Sequence, residues 1–235
     1  MVGTWYTYTR AAYISLLIAI GAYWVIRFRL LVPALGLATA AAIILATFFF
    51  TNNTYLDYAP DYEKTITHHN FDNLVSATVK GEDISTMERF YRWVAGIYMS
   101  VERPVTGFGP GNFYTFYKEY TVTSFETYVS DNPEQSGIHS YYLMTLCEQG
   151  FPGLFIFLLF NFGILVKGQY IYAQTKEEFW RHLAMTCLLC IVIIDALLLI
   201  YDLLEVDKVG PFFFLSAAFL IIIDLRNKKV KGYTS

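Results

Sequence analysis

His139 lies in the segment Gly137-Ile138-His139-Ser140, where a long polar stretch ends and a strongly apolar run begins. An imidazole titrates near neutrality, and in its neutral form it can take the proton of a hydroxyl as a general base. Nine residues separate Ser140 from Gly150-Phe-Pro-Gly153, a break in what would otherwise be one continuous helix. The break predicts a short helix over about 139–149, a stiff mount for a side chain, with Pro152 in the first turn of the helix that follows. The plain alternative for His139 is an interfacial residue that favours a polar–apolar boundary. Arg89, Arg92 and Arg10 stand beside apolar residues as well. Guanidinium groups there suit phosphate or diphosphate through paired hydrogen bonds, or else snorkel with no ligand at all.

Other pairings carry less chemistry. Gly107-Phe-Gly109-Pro-Gly111-Asn112 cannot be helical and lacks the Lys-Ser/Thr of a nucleotide loop, so it predicts a tight turn, with an anion-binding nest of N–H groups as the lesser option. His68-His69 has no further ligand at useful spacing, and Cys187-x-x-Cys190 falls inside an apolar run without a second ligand pair, so neither predicts a metal site. No cofactor is indicated. No basic stripe suggests nucleic acid as a partner, and the net charge of −3 does not bear on it, so none is expected.

The elements that must hold these residues are membrane helices. Apolar residues make up 55% of the chain and gather in blocks of about the ~20 residues that cross a bilayer. The expected fold is an all-α integral membrane protein with five transmembrane helices, at about 11–26, 33–50, 151–166, 184–201 and 211–225, and one large hydrophilic loop. Residues 1–50 hold two spans, 51–150 the loop with the candidate catalytic segment, and 151–235 three spans and a basic tail. Asn161 and Asp195 interrupt two spans and are expected to face other helices or a cavity, because polar groups are costly at membrane depth.

Basic residues fix the orientation. Arg27 and Arg29 follow the first span, Lys167, Lys176 and Arg181 the third, and Arg226, Lys228, Lys229 and Lys231 the fifth. The positive-inside rule puts these segments in the cytoplasm, which sends the loop, His139 and Arg10 to the outer face. A chain that starts outside is expected to be the C-terminal part of a longer polytopic protein. Within the loop, Ser85-Thr-Met-Glu88 has capping-box spacing. It opens an amphipathic helix from about Thr86 to Glu102-Arg103, with Phe90, Trp93, Val94, Ile97 and Val101 as its apolar positions. The loop carries twelve carboxylates against six Lys and Arg, so an anionic substrate would need the arginines focused in one place.

Together these stretches resemble the O-antigen ligase and polymerase family of bacterial membrane glycosyltransferases. Thr9-Arg10-Ala-Ala is similar to the family's Ser-Arg segment. Arg89-x-x-x-Trp93, followed by Arg103-Pro-Val-Thr-Gly107-Phe-Gly109, looks like its Arg…Trp…Pro-Leu-x-Gly-x-Gly pattern. His139-Ser140-x9-Gly150-x-x-Gly153 fits the ligase motif. The resemblance implies transfer of a glycan from an undecaprenyl diphosphate carrier, on the periplasmic side of the bacterial inner membrane, without a metal. The acceptor is the lipid A core in a ligase and a growing glycan in a polymerase. It implies Arg89 and Arg10, with Arg92, at the diphosphate, and His139 as general base or as a residue that positions the acceptor. Trp93, Gly107, Gly109, Gly150 and Gly153 are the motif's structural members. A non-catalytic glycan-binding scaffold or transporter is the reading from another class.

Overall fold

A computed structural model describes residues 10–51, 84–122, 130, 132, 135–230 and 232. The first nine residues, His68-His69 and the turn formers at 52–60 lie outside them. The described residues are helical, with no strand: α1 (Arg10–Arg27), α2 (Leu31–Thr51), α3 (Ile84–Glu102), α4 (Phe113–Phe116, continued by a 3₁₀ turn Tyr117–Tyr120), α5 (Tyr141–Gln174), α6 (Glu178–Leu197) and α7 (Gly210–Val230). Among the described residues α5, α6 and α7 are long and apolar enough to cross a membrane, and α1 and α2 hold shorter apolar stretches. The chain divides into two compact units, Met1–Thr39 with Ile156–Ser235, and Ala40–Phe155.

In the first unit α6 packs against α1 and α7. Ile26, Leu188, Ile191, Leu198, Phe213 and Ile223 are fully buried, while Leu17, Ile20, Leu159, Ile221 and Leu225 point outward. An apolar exterior over a packed interior is what a bilayer solvent requires. Asn161 is buried, as its depth demands, and Cys187 is buried as well. The helices outrun the apolar blocks that predict them. α5 continues to Gln174 because Ile171 and Tyr172 are buried, Lys167 pairs with Asp224, and the Gln169 side chain accepts the Leu31 N–H at 3.0 Å. Lys167 is therefore helical, not part of a connecting loop. At the same end Asn227 donates to Thr175 at 2.9 Å and Arg226 pairs with Glu177.

In the second unit α3 confirms the amphipathic helix, two residues longer at its start than the capping-box spacing predicts. Its buried face is different from the expected one. Met87, Tyr91, Val94, Ala95 and Met99 are buried, Phe90 and Trp93 pack at the margin, and Val101 is 72% exposed. The stripe i, i+4, i+7, i+8, i+12 is helical, but it runs through Tyr, Met and Ala rather than the bulkiest aromatics. That face meets Phe108, Phe113, Tyr117, Ile138, Met144 and Cys147 in one cluster. The core thus sits under the helix that carries the arginines and under the segment that carries His139.

Candidate functional site

The site begins with a break in hydrogen bonding. At Gly150 the chain leaves helical geometry (φ 69°, ψ −174°), so α5 is two helical pieces joined at a kink. In an uninterrupted helix the Cys147 and Glu148 carbonyls would accept from residues 151 and 152, but Pro152 has no N–H. Here the Phe108 N–H donates to Cys147 O at 3.0 Å and the Gly109 N–H to Glu148 O at 2.8 Å. In return the Phe151 N–H donates to Pro104 O at 2.8 Å. The turn 103–111 is thereby stitched to the break by three backbone bonds.

That stitching explains why glycines recur. A Cβ on Gly107 (φ 63°) would lie 2.3 Å from the Glu148 carbonyl, and one on Gly150 would lie 2.5 Å from Val105 O. Both positions need a left-handed backbone and a bare face toward another main chain. A Cβ on Gly153 would lie 2.3 Å from Gln149 Cβ, which the kink swings close. Gly109 (φ 93°) lets Asn112 fold back onto Phe108 O at 3.1 Å. The segment 107–112 is the tight turn its composition predicts. Its free donors are turned inward: the buried Glu148 carboxylate accepts from Gly111 N–H at 2.9 Å and from Phe113 N–H at 3.1 Å.

His139 is held by its main chain. Its φ of 59° is a left-handed conformation that a side chain with a Cβ seldom adopts, and this is why α5 starts at Tyr141 rather than at 139. The Trp93 indole N–H donates to His139 O at 3.3 Å, and the Arg92 guanidinium donates to Gly137 O at 3.3 Å. Arg92 is buried and also pairs with Glu88 at 3.4 Å, while Glu88 accepts from Ser130 Oγ at 2.8 Å. A chain of contacts Ser130–Glu88–Arg92–Gly137, with Trp93–His139 beside it, thus sets the strained turn. Burial, then the charges of Arg92 and Arg89, push the His139 imidazole down to about 4. The ring is thereby neutral at pH 7, with the charges of two guanidinium groups acting against its protonation.

The structure brings together His139, Arg89, Arg92 and Trp93, and it places Gly107, Gly109, Gly150 and Gly153 in the joint beneath them. Arg92 is tied to Glu88 and to a carbonyl; Arg89 is half-buried. Arg10 is the first residue of α1, and its side chain lies outside the described residues. Three members went unassigned from sequence: Glu88, Ser130 and Glu148. The signals were the Glu88-x-x-x-Arg92 spacing, which puts both charges on one helical face, and a carboxylate standing alone in the apolar run after Tyr141. Chemically, a neutral imidazole beside guanidinium groups can accept a proton from a hydroxyl while the cations hold an anionic leaving group.

Residues 2–158 match the sequence model of the family described as O-antigen ligase. No curated protein and no solved structure matches the chain.

Proposed function

The chain belongs to the O-antigen ligase family, and from that premise we propose that it moves a glycan from an undecaprenyl diphosphate carrier to an acceptor hydroxyl of the lipid A core. The observation that carries this reading is the neutral His139 fixed beside Arg89 and Arg92. Breaking the bond between sugar and diphosphate builds negative charge on the leaving group. Arg89, with Arg92 behind it, stabilises that charge, and no metal is needed for it. His139 takes the proton of the attacking hydroxyl, or orients that hydroxyl by a hydrogen bond.

The depressed His139 value has a catalytic meaning. In the free protein burial, and after it the two cations, hold the ring neutral but weakly basic. A bound diphosphate offsets their charge and raises the ring toward its ordinary value, where it is a better base. The donor thus activates the base that deprotonates the attacking hydroxyl. Support for an outer-face site comes from the charges: the basic ends Arg27–Arg29 and Arg226–Lys229 read as cytoplasmic, with five spans and the 51–138 segment in the periplasm.

The deciding experiment supplies a labelled undecaprenyl diphosphate glycan together with lipid A core and, separately, with carrier-linked repeats. Label appearing on lipid A core supports the ligase reading; label only on the repeats makes the chain a polymerase. Transfer at the normal rate by a folded His139→Ala variant would show that His139 is not the base. Binding of the glycan with no transfer to either acceptor would favour the scaffold reading.

A further inference from the structure

A second site lies in the other unit, between α5 and α7. A groove of about 460 Å³ runs there, walled by Leu159, Ile164, Leu220 and Ile221. From Leu159 to Ile171 it follows twelve residues of α5, or about 18 Å at 1.5 Å per residue, close to the ~15 Å of one bilayer leaflet. Its upper part is apolar and outward-facing, with Leu159 64% and Ile221 61% exposed. Its other end is charged. The Lys167 ammonium lies 3.6 Å and the Lys228 ammonium 3.1 Å from the same Asp224 Oδ2.

Two cations on one carboxylate leave a charge of +1 at the mouth of an apolar slot. Asp224 is largely covered (its side chain is 18% exposed), whereas both lysine side chains are more than half exposed. The uncompensated positive charge therefore faces outward, where a headgroup phosphate would sit. A helix from a second copy would bury those lysines with no anion for them, at a cost in desolvation. A lipid phosphate supplies the anion.

We propose that this groove binds an anionic phospholipid, one acyl chain lying along α5 and α7 and the phosphate between Lys167 and Lys228. The inference rests on the chain spanning a membrane and not on the transfer reaction. Gly163 lies on the groove wall, and a Cβ there would meet nothing within 4 Å. A larger side chain at 163 can thus fill the slot without distorting α5.

The test mixes the purified chain in detergent with equal amounts of phosphatidylglycerol and phosphatidylethanolamine and counts bound lipids by native mass spectrometry. The wild type is expected to retain phosphatidylglycerol preferentially. Replacing both lysines (K167Q/K228Q) should lower the ratio of the two lipids more than tenfold, from about fivefold per lysine. K167R/K228R should keep the ratio, and Gly163→Leu should lower the amount bound while helicity by circular dichroism stays unchanged. An unaltered ratio in the Gln variant, full occupancy in Gly163→Leu, or a lipid-free dimer cross-linked through Gly163→Cys would each overturn the proposal.

Discussion

Both units turn hydroxyls back onto their own helices, Ser100 to Gly96 O and Thr145 to Tyr141 O in the second, and they differ in what they add. In the unit of Met1–Thr39 and Ile156–Ser235, hydroxyls turn back onto their own helices: Thr39 to Leu35 O, Thr175 to Ile171 O, Thr186 to His182 O, Ser216 to Phe212 O. Hydroxyls at these positions need no partner from another helix, as hydrocarbon surroundings demand, and the links between helices include Leu31–Gln169, Thr175–Asn227, Glu177–Arg226 and Lys167–Asp224. In the Ala40–Phe155 unit the bonds run between segments: 108 to 147, 109 to 148, 151 to 104, Ser130 to Glu88, Trp93 to His139. The glycines divide as well. A Cβ would meet nothing near Gly21, Gly36 or Gly163, but main chain at Gly107 and Gly150. Gly168, inside a helix of the first unit, meets only side chains, whereas Gly107 and Gly150, like Gly210 at the start of α7, stand where one backbone touches another. His139, Arg89, Arg92, Trp93 and the glycines of the joint all come from the second unit.

If the second unit is a site and the first a mount, changes in the two should separate cleanly. The largest effect is expected from His139→Ala, a loss of about 10²–10⁴ in transfer rate with folding intact, measured with labelled donor. Gly107→Ala should cost about 3 kcal/mol in stability, through a clash with Glu148 and a strained φ, read as a lowered melting temperature with reduced transfer. Glu88→Gln leaves the buried Arg92 cation with a carbonyl alone and should cost about 2–3 kcal/mol, together with altered His139 titration by NMR. A stable Glu88→Gln variant with an unchanged histidine spectrum would break the link between that network and the site.

A smaller effect is in the pH profile. The His139 value of about 4 means that the base is present above that pH and lost as protons bind below it. The acid limb of kcat/KM should fall near pH 4, that of kcat higher, because kcat reports the donor-bound form. Arg89→Gln should move the kcat/KM limb upward by removing a repelling charge. The smallest effect is expected in the mount: Gly163→Ala should stabilise by about 0.5–1 kcal/mol and leave transfer unchanged. Loss of transfer there would erase the contrast between the units.

Hydropathy made the membrane class legible, because span-length apolar blocks have few other uses. Helix ends were not, since packing at Ile171 and the Lys167–Asp224 pair carries α5 past its apolar block. The helix Ile84–Glu102 showed itself by period, yet its buried face did not: Ala95 and Met99 are fully buried, while Val101 faces out. His139, Arg89, Trp93 and the glycines were visible as residue types at fixed spacing. What spacing could not reveal was the left-handed backbone at His139, which a residue other than glycine does not announce. Glu88, Ser130 and Glu148 were hidden for a related reason. A hydroxyl in a polar stretch, or a lone carboxylate in an apolar run, does not show its partner until that group, 42 or 37 residues away in the chain, is seen beside it.

The three backbone bonds across Gly150 also bear on motion. Neither the turn 103–111 nor the start of the long helix can lift away without exposing the other's unsatisfied donors and acceptors, so the two open as one cooperative unit. The amide protons of Phe108, Gly109 and Phe151 should then exchange with solvent deuterium at one common, slow rate. A turn locked in that way behaves as one rigid piece with the break at Gly150.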